Sequence, residues 1–225
     1  MSETPAKRSD LGTRAASAVV MVVIAGGVLW LGGWFWTAFV AVVAAGVLFE
    51  WRRLTARFAH GPLGLTLWNL GGIVYIGFAA AMLLFLRSEF FELGTILSIL
   101  AAVVATDIGA YFAGRSIGGP KIAPAISPSK TWAGLGGGVL AAAAVLYAIR
   151  DAGLVAEALG GGALIAVTAQ AGDFFESWMK RRAGVKDSGA LLPGHGGLFD
   201  RVDGLLAVLF VGGVLTGLAG ILGAV

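Results

Sequence analysis

Between Gly172 and Asp203 the chain reads GDFFESWMKRRAGVKDSGALLPGHGGLFDRVD, which places five carboxylates, five Lys/Arg and one of its two histidines within 32 residues. Asp173 and Glu176 are three residues apart and so share a helix face, with Lys180 four residues beyond Glu176. Asp200 and Asp203 repeat the three-residue spacing ahead of the last apolar run. Two helix ends that each present a carboxylate pair repel one another unless a cation stands between them. A hard divalent ion such as Mg2+ suits that role, because it takes oxygen ligands from one or two carboxylates and fills its shell with phosphate and water. Interfacial ion pairs, Glu176 with Lys180 and Asp200 or Asp203 with Arg201 or Lys186, are the structural alternative.

Three further groups carry chemistry. Pro193-Gly194-His195-Gly196-Gly197 is a flexible loop whose backbone N–H groups can approach phosphate oxygens closely, and whose imidazole can donate to a phosphate or shuttle a proton. Ser127-Pro128-Ser129-Lys130-Thr131 puts hydroxyls and an ammonium at the start of an apolar run, where a helix N-terminus attracts anions. It is no P-loop, since Ser129 stands where that motif needs glycine before the lysine. Asp107 interrupts an apolar run, with Tyr111 four and Arg115 eight residues later. A carboxylate in lipid costs about 3 kcal/mol or more, so Asp107 is expected to face the bundle interior, paired with Arg115 or serving a metal or nucleotide. Two histidines without cysteine make zinc a poor fit, and no G-x-S-x-G elbow surrounds Ser177. His60 stands in a basic loop without a cluster and is read as inert.

The elements that must position these residues are membrane helices. The 225 residues are 58% hydrophobic and only 13% charged, with a mean hydropathy of +0.88. Soluble domains carry about 25% charged residues. No basic stripe with interleaved aromatics suggests nucleic acid as a partner. Residues 15–49 are uncharged, and as one helix they would span about 52 Å against a hydrocarbon core of about 30 Å. Gly32-Gly33 is the natural break. The reading is an all-α polytopic membrane protein of about seven transmembrane helices, at about 15–32, 34–50, 61–86, 93–114, 131–149, 158–179 and 204–224. Span 61–86 is expected to kink near Gly71-Gly72, and the count becomes eight if it is re-entrant. A signal peptide competes for the first span, but no small-residue cleavage site follows it. With the N-terminus cytoplasmic and the C-terminus periplasmic, 14 of the 16 Lys/Arg fall on the inside, and Arg87 and Arg150 outside. That orientation puts the charged stretch, Asp107 and the 115–130 loop at the cytoplasmic face. The organisation is an N-terminal helical region, 1–104, and a catalytic region, 105–225.

Ser177-x-x-Lys180-Arg181, Lys186-Asp187, Pro193-Gly194-His195-Gly196-Gly197 and Asp200-Arg201-x-Asp203 together resemble the signature of the phosphatidate cytidylyltransferases, or CDP-diacylglycerol synthases, with thirteen specified positions over 27 residues. Asp107-x-x-Ala110-Tyr111-x-x-Gly114-Arg115 and Ser127-Pro128-x-Lys130-Thr131-x-x-Gly134 resemble two weaker blocks of that family, although Ser129 and Ala133 stand where many members carry Lys and Glu. The resemblance covers about 105–204 and implies the joining of CTP and phosphatidate into CDP-diacylglycerol and pyrophosphate. It implies Mg2+, with a second metal ion left open, held by Asp173 and Asp200 with Asp203, Asp107 or Asp187 assisting. Lys130, Lys180, Lys186 and Arg201 would bind phosphates, and Ser127, Ser177 and His195 would position substrate oxygens. Thr131, Arg181, Gly196 and Gly197 complete the expected substrate surface. A bacterial inner membrane is the expected location, with a homodimer left open. Rival readings are a CTP-dependent polyprenol or phytol kinase, which would release CDP, and a transporter lined by the intramembrane charges.

Overall fold

The computed structural model describes residues 8–150, 154–192 and 196–221. Among them seven helices run as α1 (Arg8–Leu31), α2 (Gly33–Thr55), α3 (Gly61–Phe85), α4 (Leu93–Ser116), α5 (Trp132–Arg150), α6 (Val155–Ala183) and α7 (Phe199–Ile221). A small antiparallel hairpin, β1 (Lys121–Ala123) and β2 (Ser127–Thr131), stands between α4 and α5. Among the described residues five helices, α2 through α6, are long and apolar enough to cross a membrane. The chain is a helical membrane protein.

The breaks follow from local chemistry. Gly32 and Gly33 take positive φ of 64° and 51° and turn the uncharged run between α1 and α2. The Arg87 guanidinium covers that turn, its Nε donating to the Leu29 carbonyl at 3.0 Å. Helix α6 stops at Gly184, φ 67°, where Val185 N–H returns to the Lys180 carbonyl at 3.0 Å and Gly184 N–H to Arg181 at 3.2 Å. Helix α5 begins where Thr131 Oγ1 accepts from Gly134 N–H at 3.0 Å.

Two boundaries differ from the sequence expectation. Residues 115–130 hold the β-hairpin in place of an irregular loop, so Lys130 extends from a strand. Helix α2 continues past Glu50 to Thr55, which makes Arg52 and Arg53 helical. Helix α3 is a single helix through Gly71-Gly72. There Gly72 makes room for Trp51, since any Cβ at that position would collide with the indole. Trp51 Nε1 donates to the Trp68 carbonyl at 2.9 Å, and its ring packs about Tyr75, Phe175 and Phe199 at 5.7–6.0 Å. This aromatic core ties α2, α3, α6 and α7 beneath the charged residues. Helices α4 and α5 meet through small residues: a Cβ on Gly109 would lie 2.5 Å from the Gly137 carbonyl oxygen.

Candidate active site

The carboxyl end of α6 and the amino end of α7 meet through Lys180. Its Nζ lies 2.6 Å from Glu176 Oε2 and 2.6 Å from Asp200 Oδ1. Asp200 Oδ2 accepts from the Ser188 backbone N–H, the Ser188 hydroxyl and the Gly197 N–H, each at 2.9 Å. Both oxygens of Asp200 are therefore engaged in folding the 184–199 connection onto α6. The Glu176 side chain is 2% exposed, and its other oxygen has no hydrogen-bond partner among the described residues. A buried carboxylate of this kind depends on Lys180 for its compensation.

The same connection is held from below by α2. Glu50 is wholly buried, accepts from Leu198 N–H at 3.0 Å and Phe199 N–H at 2.8 Å, and at 3.0 Å shares the single Ser188 hydroxyl proton with Asp200. It caps α7, whose first N–H groups have no partner within the helix. Gly189 and Gly197 leave room for it. A Cβ on Gly189 would strike Glu50, and one on Gly197 would strike Ser188.

Beside α6 lies a cavity of about 400 Å³, within the size range of small-molecule sites. Asp107, Arg115, Lys121, Lys130, Gln170 and Asp173 line it. Lys130 pairs with Asp173 and stands 5.4 Å from the Phe174 ring. Burial pushes the Lys130 ammonium below its ordinary range, while Asp107, Asp203 and Glu176 oppose the shift. Asp107 is exposed, not packed, and lines this cavity among residues of α4, α5 and α6. Nor is it paired with Arg115, whose Nη1 donates to the Tyr111 hydroxyl at 3.2 Å. A polar cavity wall removes the need for a burial partner.

The remaining candidates are distributed unevenly. Thr131 is buried at the foot of α5 and lines the cavity, whereas Ser127 pairs with Ala123 in the hairpin and is not part of the lining. Arg181 Nε donates to the Ile126 carbonyl at 3.4 Å and braces the hairpin turn. Ser177 is half-buried on α6, and its hydroxyl has no hydrogen-bond partner among the described residues. Asp203 accepts from Gly204 N–H at 2.9 Å. Gly196 takes φ 81° and its carbonyl accepts from Leu192 N–H at 3.1 Å. Arg201 is exposed on the first turn of α7. Lys186 and Asp187 line a second polar pocket on the α2 side. His195 lies outside the described residues.

The donor set suits a hard cation that brings its own ligands. Two carboxylates, Asp107 and Asp173, face one cavity, and among the described residues no cluster of three or more His/Asp/Glu forms a complete cage. Mg2+ binds in this way, through one or two carboxylates with phosphate oxygens and water supplying the rest.

The model of the cytidylyltransferase family matches residues 66–218. The chain belongs to the cytidylyltransferase family. It is 39% identical over 246 aligned positions to the phosphatidate cytidylyltransferase of Brucella suis biovar 1 (strain 1330), covering 88% of this chain and 90% of that one. It is 34% identical to the enzyme of the same name from Rickettsia bellii (strain RML369-C), covering 89% and 88%. The Pseudomonas aeruginosa enzyme of that name is 39% identical over a shorter stretch, 56% of this chain and 49% of its own.

The matched family region begins after α2, yet Glu50 completes the site's scaffold. Sequence reasoning passed over Glu50, Ser188 and Gln170. A signal for Glu50 was present: it is the first charge after 35 uncharged residues, and a carboxylate at the end of an apolar span needs a partner. Ser188 and Gln170 had no comparable signal, since a neutral polar residue in a helix or loop stands out only when its neighbours are known.

Proposed function

We propose that this protein transfers the cytidylyl group of CTP to phosphatidate, releasing pyrophosphate and leaving CDP-diacylglycerol in the membrane. A phosphate oxygen of phosphatidate attacks the α-phosphorus of CTP, and the bond from that phosphorus to the α,β-bridging oxygen breaks. The attacking oxygen is already anionic, so no strong base is required. The barrier lies in bringing two polyanions together and stabilising the charge that develops on pyrophosphate, which fixed cations do by position and electrostatics.

The observation that carries this reading is the single cavity where Lys121, Lys130 and Arg115 face Asp107 and Asp173 among apolar helices. The three cations would hold the triphosphate, and Thr131 and Gln170 would orient it. Asp173 and Asp107 would hold Mg2+, with Asp200 and Asp203 completing the acidic surroundings. When bound, the ion neutralises triphosphate charge. Lys180, which spans Glu176 and Asp200 at the junction of α6 and α7, would meet developing negative charge.

We further infer seven spans in a bacterial inner membrane, with the site on the cytoplasmic face. The 14-to-2 division of Lys/Arg supports that orientation, as does the gathering of α2, α4 and α6 carboxyl ends with α5 and α7 amino ends. CTP labelled at the α-phosphate and, separately, at the γ-phosphate tests the reaction on purified protein with phosphatidate and Mg2+. Label from the α-position should appear in lipid and label from the γ-position in pyrophosphate. Transfer of γ-label to lipid, with release of CDP, would indicate a kinase and overturn the assignment.

A further inference from the structure

A second polar pocket, about 280 Å³, is lined by the end of α2 and by residues 185–190 and shares no lining residue with the first. Arg53 and Arg57 from the end of α2 line it together with Lys186, Asp187 and Ser188. Three cations thus face one carboxylate. Arg53 and Arg57 are four residues apart and project from the same side of α2 and its closing turn. The Arg53 guanidinium lies 5.6 Å from the Phe49 ring, which limits its orientation. Arg57 and Lys186 form no ion pair with any described carboxylate.

Two features make this a built pocket. Glu50, one turn before Arg53, clamps Ser188 at 3.0 Å and so holds the α2 arginines in register with Lys186. Phe49, which packs against Arg53, is half exposed on the outside of the bundle, so the pocket opens beside the lipid-facing surface.

We propose that this pocket is a docking subsite for a phosphate monoester headgroup, that of the acceptor lipid. The chemistry fits: two guanidinium groups and an ammonium match a phosphate dianion, with arginine able to bind two oxygens at once. The site's place at the end of α2, beside a lipid-facing ring, favours a phosphate carried on a membrane lipid over a soluble one. Ser188 is shared between the pocket lining and Asp200, which brings the subsite up against the Lys180–Asp200 junction. The two substrates would then occupy separate pockets, CTP the larger cavity and the lipid headgroup this one. This inference rests on the transferase reading above.

The test uses the full-length protein in detergent and the double variant Arg53→Gln/Arg57→Gln, with Lys186→Gln as a second, single change. KM for dioctanoyl phosphatidate should rise about tenfold or more in each, with KM for CTP within about twofold of the unsubstituted protein. Equilibrium binding of labelled dioctanoyl phosphatidate without CTP should fall in parallel, and thermal melting should be unchanged. A rise in KM for CTP alone, or no change in either constant, would overturn the proposal. Inorganic phosphate and dioctanoyl phosphatidylglycerol distinguish the ligand source. Neither should displace labelled phosphatidate at equal concentration, and equal displacement by inorganic phosphate would assign the pocket to a soluble anion and reject the lipid. Should the unsubstituted protein make no CDP-diacylglycerol, the transferase reading fails. The binding measurement still decides the pocket.

Discussion

Glu50 accepts a hydrogen bond from the Phe199 amide at 2.8 Å, which joins α2 to the first turn of α7 across 149 residues. A carboxylate at this position satisfies the Leu198 N–H just before α7 and the Phe199 N–H of its first residue, and reaches the Ser188 hydroxyl as well. Helix α2 is thus part of the site's construction, because its buried Glu50 joins Asp200 in holding the loop that carries Ser188 and Gly197.

Glu50→Ala should leave buried donors unsatisfied and destabilise the protein by about 2 kcal/mol or more. Glu50→Gln retains an acceptor oxygen and should cost less. Thermal melting in detergent measures the order, and cytidylyl transfer should fall further for Ala than for Gln. Equal melting temperatures for Glu50→Ala and the unsubstituted protein would remove Glu50 from the scaffold.

Lys180→Met should destabilise by about 3–5 kcal/mol, since it strands the buried carboxylate of Glu176. The double change Lys180→Met/Glu176→Gln should recover most of that stability, because the stranded charge is gone. Activity should not return with it, as the cation at the α6–α7 junction is still missing. Urea titration and transfer assays on the three variants separate the two effects.

Lys130→Ala should raise KM for CTP by about tenfold or more and leave KM for phosphatidate within about twofold, as expected for a phosphate contact made in one cavity. A matched rise in both constants would show that Lys130 acts through the fold.

Asp173→Asn should shift the Mg2+ dependence of transfer to higher concentration, and EDTA should abolish transfer by the unsubstituted protein reversibly. Lys130 pairs with Asp173, so this change also frees an ammonium. The double variant Lys130→Ala/Asp173→Asn separates loss of the metal ligand from release of that lysine.

Gly197→Ala should destabilise by about 1–3 kcal/mol, because its Cβ would press on Ser188, the Gly189 nitrogen and Glu50. Gly136→Ala in α5 meets open space and should be neutral or stabilising. Melting curves of the two variants provide the comparison.

Several features could be read without coordinates. The long uncharged runs place helices in lipid because an unpaired charge there is costly, and the glycine pair at 32–33 ends α1 because it alone admits positive φ cheaply. The density of charge in 172–203 located the α6–α7 end of the site for the same reason. Other features required the tertiary structure. Packing alone determined that Asp200 spends its oxygens on Lys180, Ser188 and Gly197, and that Asp107 faces a cavity. Packing also brought Glu50 under the 184–199 connection and set Arg53 and Arg57 opposite Lys186. Hydropathy and spacing act along the chain, whereas Glu50, Arg53 and Arg57 meet segments more than a hundred residues away, which happens only when α2 packs against α6 and α7.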